Sequence, residues 1–428
     1  MDISKIKELQ DFYTDELKNN ILSFWLPSCE DKEFGGFLNC FDNFGKQLVS
    51  YDKYTWSQGR FIWMFAYLSQ TPCPIFSSEE RESFLALAKQ GTEFMMKHCL
   101  ISENNFKCVF LMERDGTPKQ VEQGAPLDMS IYADCFAILG MAMYAFVSGA
   151  KTVYNFTKKL YDSAIERIKN NNFRTLPYPL SEQFRCHGIP MIFSNVSREL
   201  LRAAQKLNKG DVPQILKNIE HFASDILNNF VDEYNIMHEV ITQDNKFFEQ
   251  ILGQHMNPGH TLEDVWFLFD AADLTDHKEW NEKILNIALK ALENGWDEEY
   301  GGLLHYCSVT GGKPVGDYKG VENETMTKQL SGWADKLWWV HSESLYTTLL
   351  CYFRSGNANF LNWYKRIAEY TFSTFPNPDK TIGEWIQIRT QNGSPQDKVV
   401  ALPVKDPFHI TRNLILILEL LKTQMEAV

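Results

Sequence analysis

Two histidines stand at the same position in two matching motifs. The motifs, Asn257-Pro-Gly-His260 and Asp406-Pro-Phe-His409, each place an Asn or Asp, then Pro, then His two residues beyond the Pro. Asn and Asp are common helix N-caps and Pro is favoured at the first helical position, so each motif predicts a helix with its histidine in the first turn. The positive end of the helix dipole disfavours imidazolium. We therefore expect both histidines to be neutral near pH 7 and able to accept a proton; a capping or packed histidine is the alternative.

Residues that follow the first of these histidines could complete a site for acid–base chemistry. Glu263 lies three residues after His260 and shares its helical face, where it could orient the imidazole or contact a substrate. Trp266 is three residues further along the same face. The structural alternatives are a solvated first-turn acid for Glu263 and a core position for Trp266.

An internal repeat relates two more charged residues. Asp31–Leu38 matches Asp297–Leu304, and Asp52–Trp56 matches Asp335–Trp339. Four residues beyond the final tryptophan stand Arg60 in the first copy and Glu343 in the second. Equivalent positions in a closed ring of helices would point into one cavity, which makes both residues candidates for the same site. Taken singly, each favours a structural interpretation.

Apolar residues recur at helical spacing through most of the chain, as in Ile215, Ile219, Phe222, Ile226 and Phe230. Short segments typical of β-hairpins or tight loops separate the helical stretches. A repeating unit of about 70 residues would occur six times in the 428-residue chain. Paired helices cannot bury a face alone, so they stack or close. We predict one domain, residues 1–428, folded as an all-α (α/α)6 barrel of six helical hairpins with short hairpins and loops at one end; an open solenoid is the alternative.

Composition excludes several classes of partner. The chain is 44% hydrophobic and has a formal net charge of −13, which is unfavourable for binding nucleic acid or anionic lipid. No uncharged run, including Cys135–Ala150, reaches the roughly 20 residues that span a bilayer, so no membrane association is expected. Nine scattered cysteines without a C-x-x-C pair favour reduced thiols and a cytoplasmic location.

Motifs for cofactor chemistry are missing from the sequence. His255 and His260 do not form H-E-x-x-H, so no metal is expected. The sequence also contains no glycine-rich phosphate loop and no G-x-S-x-G elbow. His238-Glu239 falls in a predicted strand, where we expect an ordinary structural role.

Six motifs, spread in order over nearly the whole chain, combine these features. They are Gly35-Gly-Phe-Leu, Trp56-Ser-Gln-Gly-Arg60, Asn257-Pro-Gly-His-Thr-Leu-Glu263, Lys336-Leu-Trp-Trp-Val-His-Ser-Glu343, Gly383-Glu-Trp385 and Pro407-Phe-His409-Ile-Thr-Arg412. Together they resemble the N-acylglucosamine 2-epimerase family, also called renin-binding proteins. The resemblance implies an (α/α)6 barrel, epimerisation or isomerisation of sugars, and two catalytic histidines matching His260 and His409. It also implies that Arg60, Glu263 and Glu343 lie in the site.

The family acts on several sugars, and one position favours an N-acyl monosaccharide. Cellobiose epimerases of the family carry an additional histidine where this chain has Asn195, whereas the N-acyl sugar enzymes have Asn there. The residues expected to bind the sugar, mostly by aromatic stacking, are Trp56, Asn195, Trp266, Trp338, Trp339, His341 and Trp385. The resemblance leaves open a homodimer and a nucleotide effector.

The residues suit proton transfer at C2 of an open-chain sugar. Two imidazoles on opposite walls could remove the C2 proton and return it to the other face, through an enediolate stabilised by Arg60. This chemistry requires neither a metal nor a nicotinamide. An aldose–ketose isomerase, a mannose or cellobiose 2-epimerase and a non-catalytic binding protein are the alternatives. A glycoside hydrolase would instead need two opposed carboxylates.

Overall fold

The computed structural model describes residues 1–426, and over this range the chain forms fourteen α-helices. They are α1 (Ile3–Asp15), α2 (Ser23–Ser28), α3 (Thr55–Gln70), α4 (Ser78–His98), α5 (Ile131–Ser148), α6 (Lys151–Lys169), α7 (Gly188–Lys206), α8 (Val212–Asp225), α9 (Pro258–Thr275), α10 (Trp280–Gly295), α11 (Thr325–Gln329), α12 (Trp338–Ser355), α13 (Ala358–Thr374) and α14 (Phe408–Glu426). π-Helical turns at Glu16–Leu22 and Ile226–Phe230 continue α1 and α8, and a 3₁₀ turn at Leu330–Gly332 follows α11.

Six helices form a closed inner ring. The ring runs α3, α5, α7, α9, α12, α14, and α14 contacts α3 again. Helices α4, α6, α8, α10 and α13 each pack outside the inner helix that precedes them, and α1 packs on α14. Outer and inner helices alternate along the chain, so the six hairpins close into the predicted (α/α)6 barrel, and the open solenoid is excluded.

Burial explains the different character of the two layers. Helix α5 is long and apolar enough to cross a membrane by composition alone, but 83% of it is buried in this structure. It lies in the inner ring between α3 and α7, with α6 outside it. An inner helix packed on several sides must be apolar around its whole circumference. The outer helix α8 instead buries only one stripe, which includes the predicted Ile215, Ile219 and Phe222.

Short antiparallel strands lie at one end of the barrel, as predicted. They are β1 (Lys53–Tyr54), β2 (Leu100–Ser102), β3 (Asn105–Cys108), β4 (Leu111–Met112), β5 (Pro118–Lys119), β6 (Phe184–Cys186), β7 (Val240–Thr242), β8 (His255–Met256), β9 (Cys307–Ser308), β10 (Lys336–Leu337) and β11 (Ile388–Arg389). Strands β1, β6, β8 and β10 lead almost directly into α3, α7, α9 and α12. The strands therefore fix the N-terminal ends of four inner helices.

The sequence repeat corresponds to a repeated buried ion pair. The ammonium of Lys53 lies 2.9 Å from a carboxylate oxygen of Asp31, and the ammonium of Lys336 lies 2.9 Å from Asp297. Each lysine also donates to a carbonyl of the glycine pair in its own copy, at Gly35 or Gly301. Both glycine pairs have positive φ angles, between 70° and 80°, which residues with a Cβ rarely adopt. The motif thus ties each loop to the strand before α3 or α12.

Candidate active site

The N-terminal ends of the inner helices surround a cavity of about 730 Å³ that is partly open to solvent. All six inner helices contribute to its wall. The lining residues are Trp56, Arg60, Tyr132, Phe136, Tyr178, Gly188, Met191, Ile192, His260, Glu263, Trp338, Trp339, Val400, Ala401 and His409. The structure therefore brings both candidate histidines, Arg60 and Glu263 to one cavity, although they come from helices far apart in the sequence.

His260 occupies the first turn of α9, as its motif predicts. The Asn257 side chain accepts a hydrogen bond from the backbone N–H of His260 at 3.1 Å, so Asn257 is the N-cap. The ring nitrogen Nδ1 of His260 lies 2.9 Å from a carboxylate oxygen of Glu239. Because a carboxylate accepts, Nδ1 carries the proton, and Nε2 is left to face the cavity.

Glu239, for which the sequence analysis expected an ordinary structural role, is placed by the structure against His260. It immediately precedes β7, and its side chain is buried behind His260. Burial would raise the pKa of Glu239, but the neighbouring imidazoles of His260 and His187, and the hydrogen bond from His260, hold that pKa well below its usual value. A glutamate at the start of a buried strand was the available signal, but it did not identify a partner.

His409 occupies the first turn of α14 and is held on both ring nitrogens. Nδ1 lies 2.7 Å from Oε1 of Glu343, and Nε2 lies 3.1 Å from a terminal nitrogen of Arg60. Glu343 accepts from Nδ1–H, and the guanidinium donates to the lone pair of Nε2. This pattern fits a neutral imidazole with its proton on Nδ1. The two histidines therefore share one arrangement, in which a buried carboxylate holds Nδ1.

Arg60 is fixed by an ion pair and by aromatic rings. Its second terminal nitrogen donates to Asp406 at 2.7 Å, and its guanidinium carbon lies 4.1 Å from the centre of the Phe136 ring. Burial lowers the pKa of Arg60 and Asp406 opposes this effect. An arginine stays charged even so, because its ordinary pKa is far above neutrality. Asp406, the first residue of the second histidine motif, thus positions Arg60 next to His409.

Arg412, which the sequence analysis did not select, joins the two predicted glutamates. Its guanidinium donates to Glu263 and to Glu343, and it is itself 3% exposed. Burial would raise the pKa of Glu343, but Arg412 and the hydrogen bond from His409 lower it to about 2. Arg412 lies three residues after His409, and that spacing on one helical face was the signal available in the sequence. Glu263 lines the cavity and pairs with Arg412, whereas Glu239 orients His260.

Trp339 packs close to both imidazoles. The centre of its ring lies 5.3 Å from that of His260 and 5.7 Å from that of His409. Gly259, next to His260, permits this approach, because a Cβ there would come within 2.6 Å of the indole. The structure also brings the predicted Trp56 and Trp338 to the cavity wall. It adds Tyr132, Phe136 and Tyr178, which the sequence analysis did not identify.

Two predicted sugar-binding tryptophans lie away from the cavity. The indole N–H of Trp266 donates to Glu343 at 3.1 Å, and its ring packs against Phe267 and Tyr346. Trp385 is fully buried and donates to Glu16 at 2.6 Å. The structure therefore contradicts the prediction that either ring stacks on a sugar in the cavity. Aromatic residues occur both in the core of a barrel and on its cavity wall. The residue type alone therefore does not show in which of these two places a tryptophan lies.

His341 and Asn195 are also buried outside the cavity wall. His341 donates through Nδ1 to the Leu337 carbonyl at 2.7 Å and accepts from the Leu303 N–H at 3.0 Å, which gives it a structural role in the second repeat. Burial lowers the pKa of His341 to about 3, so it is neutral. Asn195 is 4% exposed and lies one helical turn beyond the lining residues Met191 and Ile192. Direct sugar contact by His341 or Asn195 is not supported.

Two sets of side chains place nitrogen and carboxylate atoms within 4.8 Å of one another. One set is His187, Glu239 and His260; the other is Glu263, Glu343 and His409. Protein N–H groups already pair with carboxylates in both sets, from His260 in the first and from Arg412 and His409 in the second. These carboxylates therefore already have donors within the protein, and the absence of a metal stays a prediction.

Fold and site together define an (α/α)6-barrel protein with two carboxylate-held histidines in one cavity. A family model described as N-acylglucosamine 2-epimerase (GlcNAc 2-epimerase) matches residues 35–412. The chain therefore belongs to the N-acylglucosamine 2-epimerase family, which confirms the resemblance seen in its motifs. Epimerases are isomerases, so the protein is an enzyme of that class.

Individual relatives agree with this assignment. The chain is 29% identical over 416 residues to the N-acylglucosamine 2-epimerase of Bos taurus, covering 94% of this chain and 89% of that one. It is 22% identical over 407 residues to a cellobiose 2-epimerase of Ruminococcus albus, covering 92% of this chain and 94% of that one.

Solved structures share the fold. The cellobiose 2-epimerase of Bacillus thermoamylovorans superposes with a TM-score of 0.75 at 18% identity, covering 97% of this chain and all of that one. A D-mannose isomerase superposes with a TM-score of 0.73 at 20% identity, covering 96% and 97%. At these identities the likeness concerns the (α/α)6 barrel.

Proposed function

We propose that the protein inverts C2 of an N-acylhexosamine, interconverting N-acetyl-D-glucosamine and N-acetyl-D-mannosamine, with His260 and His409 as the two proton-transfer groups. The observation that carries the proposal is that both imidazoles line one cavity with Nδ1 held by a carboxylate. Nε2 is then the nitrogen that exchanges a proton with the substrate. The identity of 27–29% to N-acylglucosamine 2-epimerases, against 22–23% to cellobiose 2-epimerases, supports the N-acyl sugar.

The reaction needs one neutral histidine and one protonated histidine. In the open-chain sugar the C1 carbonyl acidifies the C2–H bond, and the neutral imidazole takes this proton on Nε2. The electron pair of the broken bond passes into an enolate with its negative charge on the C1 oxygen. The second histidine, protonated on Nε2, then delivers its proton to the opposite face of C2. Each acid–base group of this kind contributes about 10²–10⁴ in rate.

Arg60 supplies the donor for the enolate oxygen. In the structure its terminal nitrogen donates to Nε2 of His409, which is the lone pair that a base must use. A sugar oxygen entering between the two groups would accept the same N–H and free the imidazole. Arg60 thus changes acceptor when substrate binds, while Asp406 keeps its other nitrogen in place. A fixed donor to such an oxyanion is worth about 10²–10³ in rate.

The proposal involves a free monosaccharide and neither metal nor nicotinamide. All nine cysteines are free thiols and are buried. Unpaired thiols persist in reducing compartments, which supports a cytoplasmic location as part of the proposal.

Incubation in deuterated water tests the reaction. Starting from either N-acetyl-D-mannosamine or N-acetyl-D-glucosamine, the enzyme should produce both aldoses with deuterium at C2. Proton NMR measures this as the loss of the C2 proton signal. Accumulation of a ketose from mannose would indicate an aldose–ketose isomerase instead, and no exchange with any C2 epimer would indicate a binding protein. Mannose and cellobiose, assayed in parallel, establish whether the N-acyl group is preferred.

Single substitutions test the assignment of the two histidines. His260→Asn and His409→Asn should each lower the rate of inversion by at least about 10². Each variant should still exchange the C2 proton of one epimer, the one that faces the remaining histidine, without inverting it. His277→Asn, a partly exposed histidine paired with Glu220 and Glu279, is the matched control and should keep full activity. Full activity in either test variant would remove that histidine from the mechanism.

A further inference from the structure

His187 lies behind His260 at the start of α7. Its backbone N–H donates to the carbonyl of Glu239 at 2.9 Å, which continues the antiparallel pairing of β6 with β7 by one residue. The register of this two-stranded sheet therefore sets His187 opposite Glu239. His187 is fully buried, and the centre of its ring lies 6.5 Å from that of His260.

The side chain of His187 lies between two buried carboxylates and hydrogen-bonds to one of them. Nε2 lies 2.9 Å from Asp264, which follows Glu263 on α9 and is fully buried. Nδ1 points toward the second oxygen of Glu239 at 3.8 Å. Burial alone would lower the pKa of His187, but the two carboxylates raise it to about 9. A cation between two buried carboxylates reduces the cost of burying their charges.

The same order of groups supports the other histidine. On that side Arg412 holds Glu343, and Glu343 holds Nδ1 of His409. On this side His187 faces Glu239, and Glu239 holds Nδ1 of His260. Each catalytic candidate therefore has a carboxylate behind it and a nitrogen cation behind the carboxylate. The cation is an arginine on one side and a histidine anchored by Asp264 on the other.

We infer that His187 is the positioning residue of His260: anchored by Asp264, it holds the Glu239 carboxylate that keeps the proton of His260 on Nδ1. This inference rests on the proposed function. Without His187 the carboxylate of Glu239 is free to turn away or to take up a proton. His260 can then carry its proton on Nε2, and in that form it cannot accept one from C2.

A selective loss of His260 function tests this role. His187→Gln should lower the rate of inversion by about 10–100-fold, the usual effect of removing a group that orients a reactive histidine. In deuterated water, the ratio of C2 exchange to inversion should rise for one epimer only. That epimer should be the one that still exchanges in His260→Asn. Arg412→Gln should raise the ratio for the opposite epimer.

Two further variants separate positioning from general damage to the fold. Asp264→Asn leaves His187 in place and removes only the charge that anchors it, so it should give the same epimer selectivity with a smaller loss of rate. His341→Gln replaces another fully buried histidine, with the residue found at the equivalent place in the first repeat, Gln58, and should leave the exchange ratio unchanged.

Two results would overturn the inference. One is wild-type activity in His187→Gln. The other is that the rates of C2 exchange and of inversion fall equally for both epimers in His187→Gln and in Asp264→Asn. A wild-type enzyme that neither exchanges nor inverts a C2 epimer would instead overturn the proposed function, so the two failures are distinct.

Discussion

At the scale of single residues, the site is built from pairs in which one side chain is proposed to react and its partner fixes the orientation of that side chain. Glu239 and Glu343 hold Nδ1 of His260 and His409, and Asp406 holds Arg60 beside His409. Trp339 packs close to both imidazoles and lines the cavity. In the proposed reaction the sugar therefore lies against this indole when it reaches either Nε2.

Substitution of two tryptophans distinguishes a wall residue from a core residue. Trp339→Phe should raise KM by about threefold to tenfold, because an aromatic contact is worth about 0.5–1.5 kcal/mol. Trp385→Phe should leave KM unchanged and lower the free energy of unfolding by about 1 kcal/mol, because it removes a hydrogen bond to Glu16. Steady-state kinetics and urea unfolding of both variants provide the measurement. A raised KM in Trp385→Phe would restore the role expected from the sequence.

At the scale of elements, the site depends on how closely the inner helices approach one another. Helices α3 and α5 cross at Gly59 and Gly140, where a Cβ on Gly140 would lie 2.2 Å from the Gly59 carbonyl oxygen. Trp56 and Arg60 flank this crossing on α3, and Phe136 lies opposite on α5. The two glycines therefore set the distance between Arg60 and the Phe136 ring over which it lies.

Gly59→Ala tests this close approach. The added Cβ would stand 2.0 Å from the carbonyl oxygen of Phe136, so the two helices must separate. We expect a loss of about 3 kcal/mol in the free energy of unfolding, together with reduced turnover as Arg60 shifts. Gly210→Ala is the matched control, because an added Cβ there meets open space and should change stability by less than about 0.5 kcal/mol. Equal stability of the two variants in urea would contradict the argument.

At the scale of the whole molecule, ring closure joins the six inner helices, and the repeated ion pairs fix the loops that precede α3 and α12. Asp31 accepts from Lys53 and from Arg114, and Asp297 accepts from Lys336. Burial would raise the pKa of Asp31, but the hydrogen bonds from Arg114 and Lys53 lower it to about 2. The loop that carries Asp31 therefore stabilises the barrel only while the Asp31 carboxylate is ionised.

The stability of the protein should accordingly depend on Asp31 in acid. A carboxylate with a lowered pKa contributes stability that is complete above its unfolded pKa of about 4 and is lost as the pH falls toward 2. Asp31→Asn should remove about 2 kcal/mol of this pH dependence, measured by urea unfolding between pH 5 and pH 2. Asp276→Asn, a change at an exposed position, is the control. A wild-type slope in Asp31→Asn would show that other groups dominate.

Interactions between neighbouring residues allowed the fold and several site residues to be predicted from the sequence. Helical spacing, the N-cap motifs of His260 and His409, and a repeat with paired glycines depend on neighbouring residues, and they were sufficient for the (α/α)6 barrel and the family. The equivalence of Arg60 and Glu343 was also visible, and each is the sixth residue of its inner helix.

Only the tertiary structure decided which groups meet. Glu239 reaches His260 across 21 residues, His187 reaches Asp264 across 77, and Glu343 reaches His409 across 66. Such pairings are set by strand register and ring closure, which no local pattern encodes. The same reason explains the errors at Trp385 and His341: apolarity and ring type predict burial, whereas the packing of the whole barrel decides whether a buried ring faces the core or the cavity.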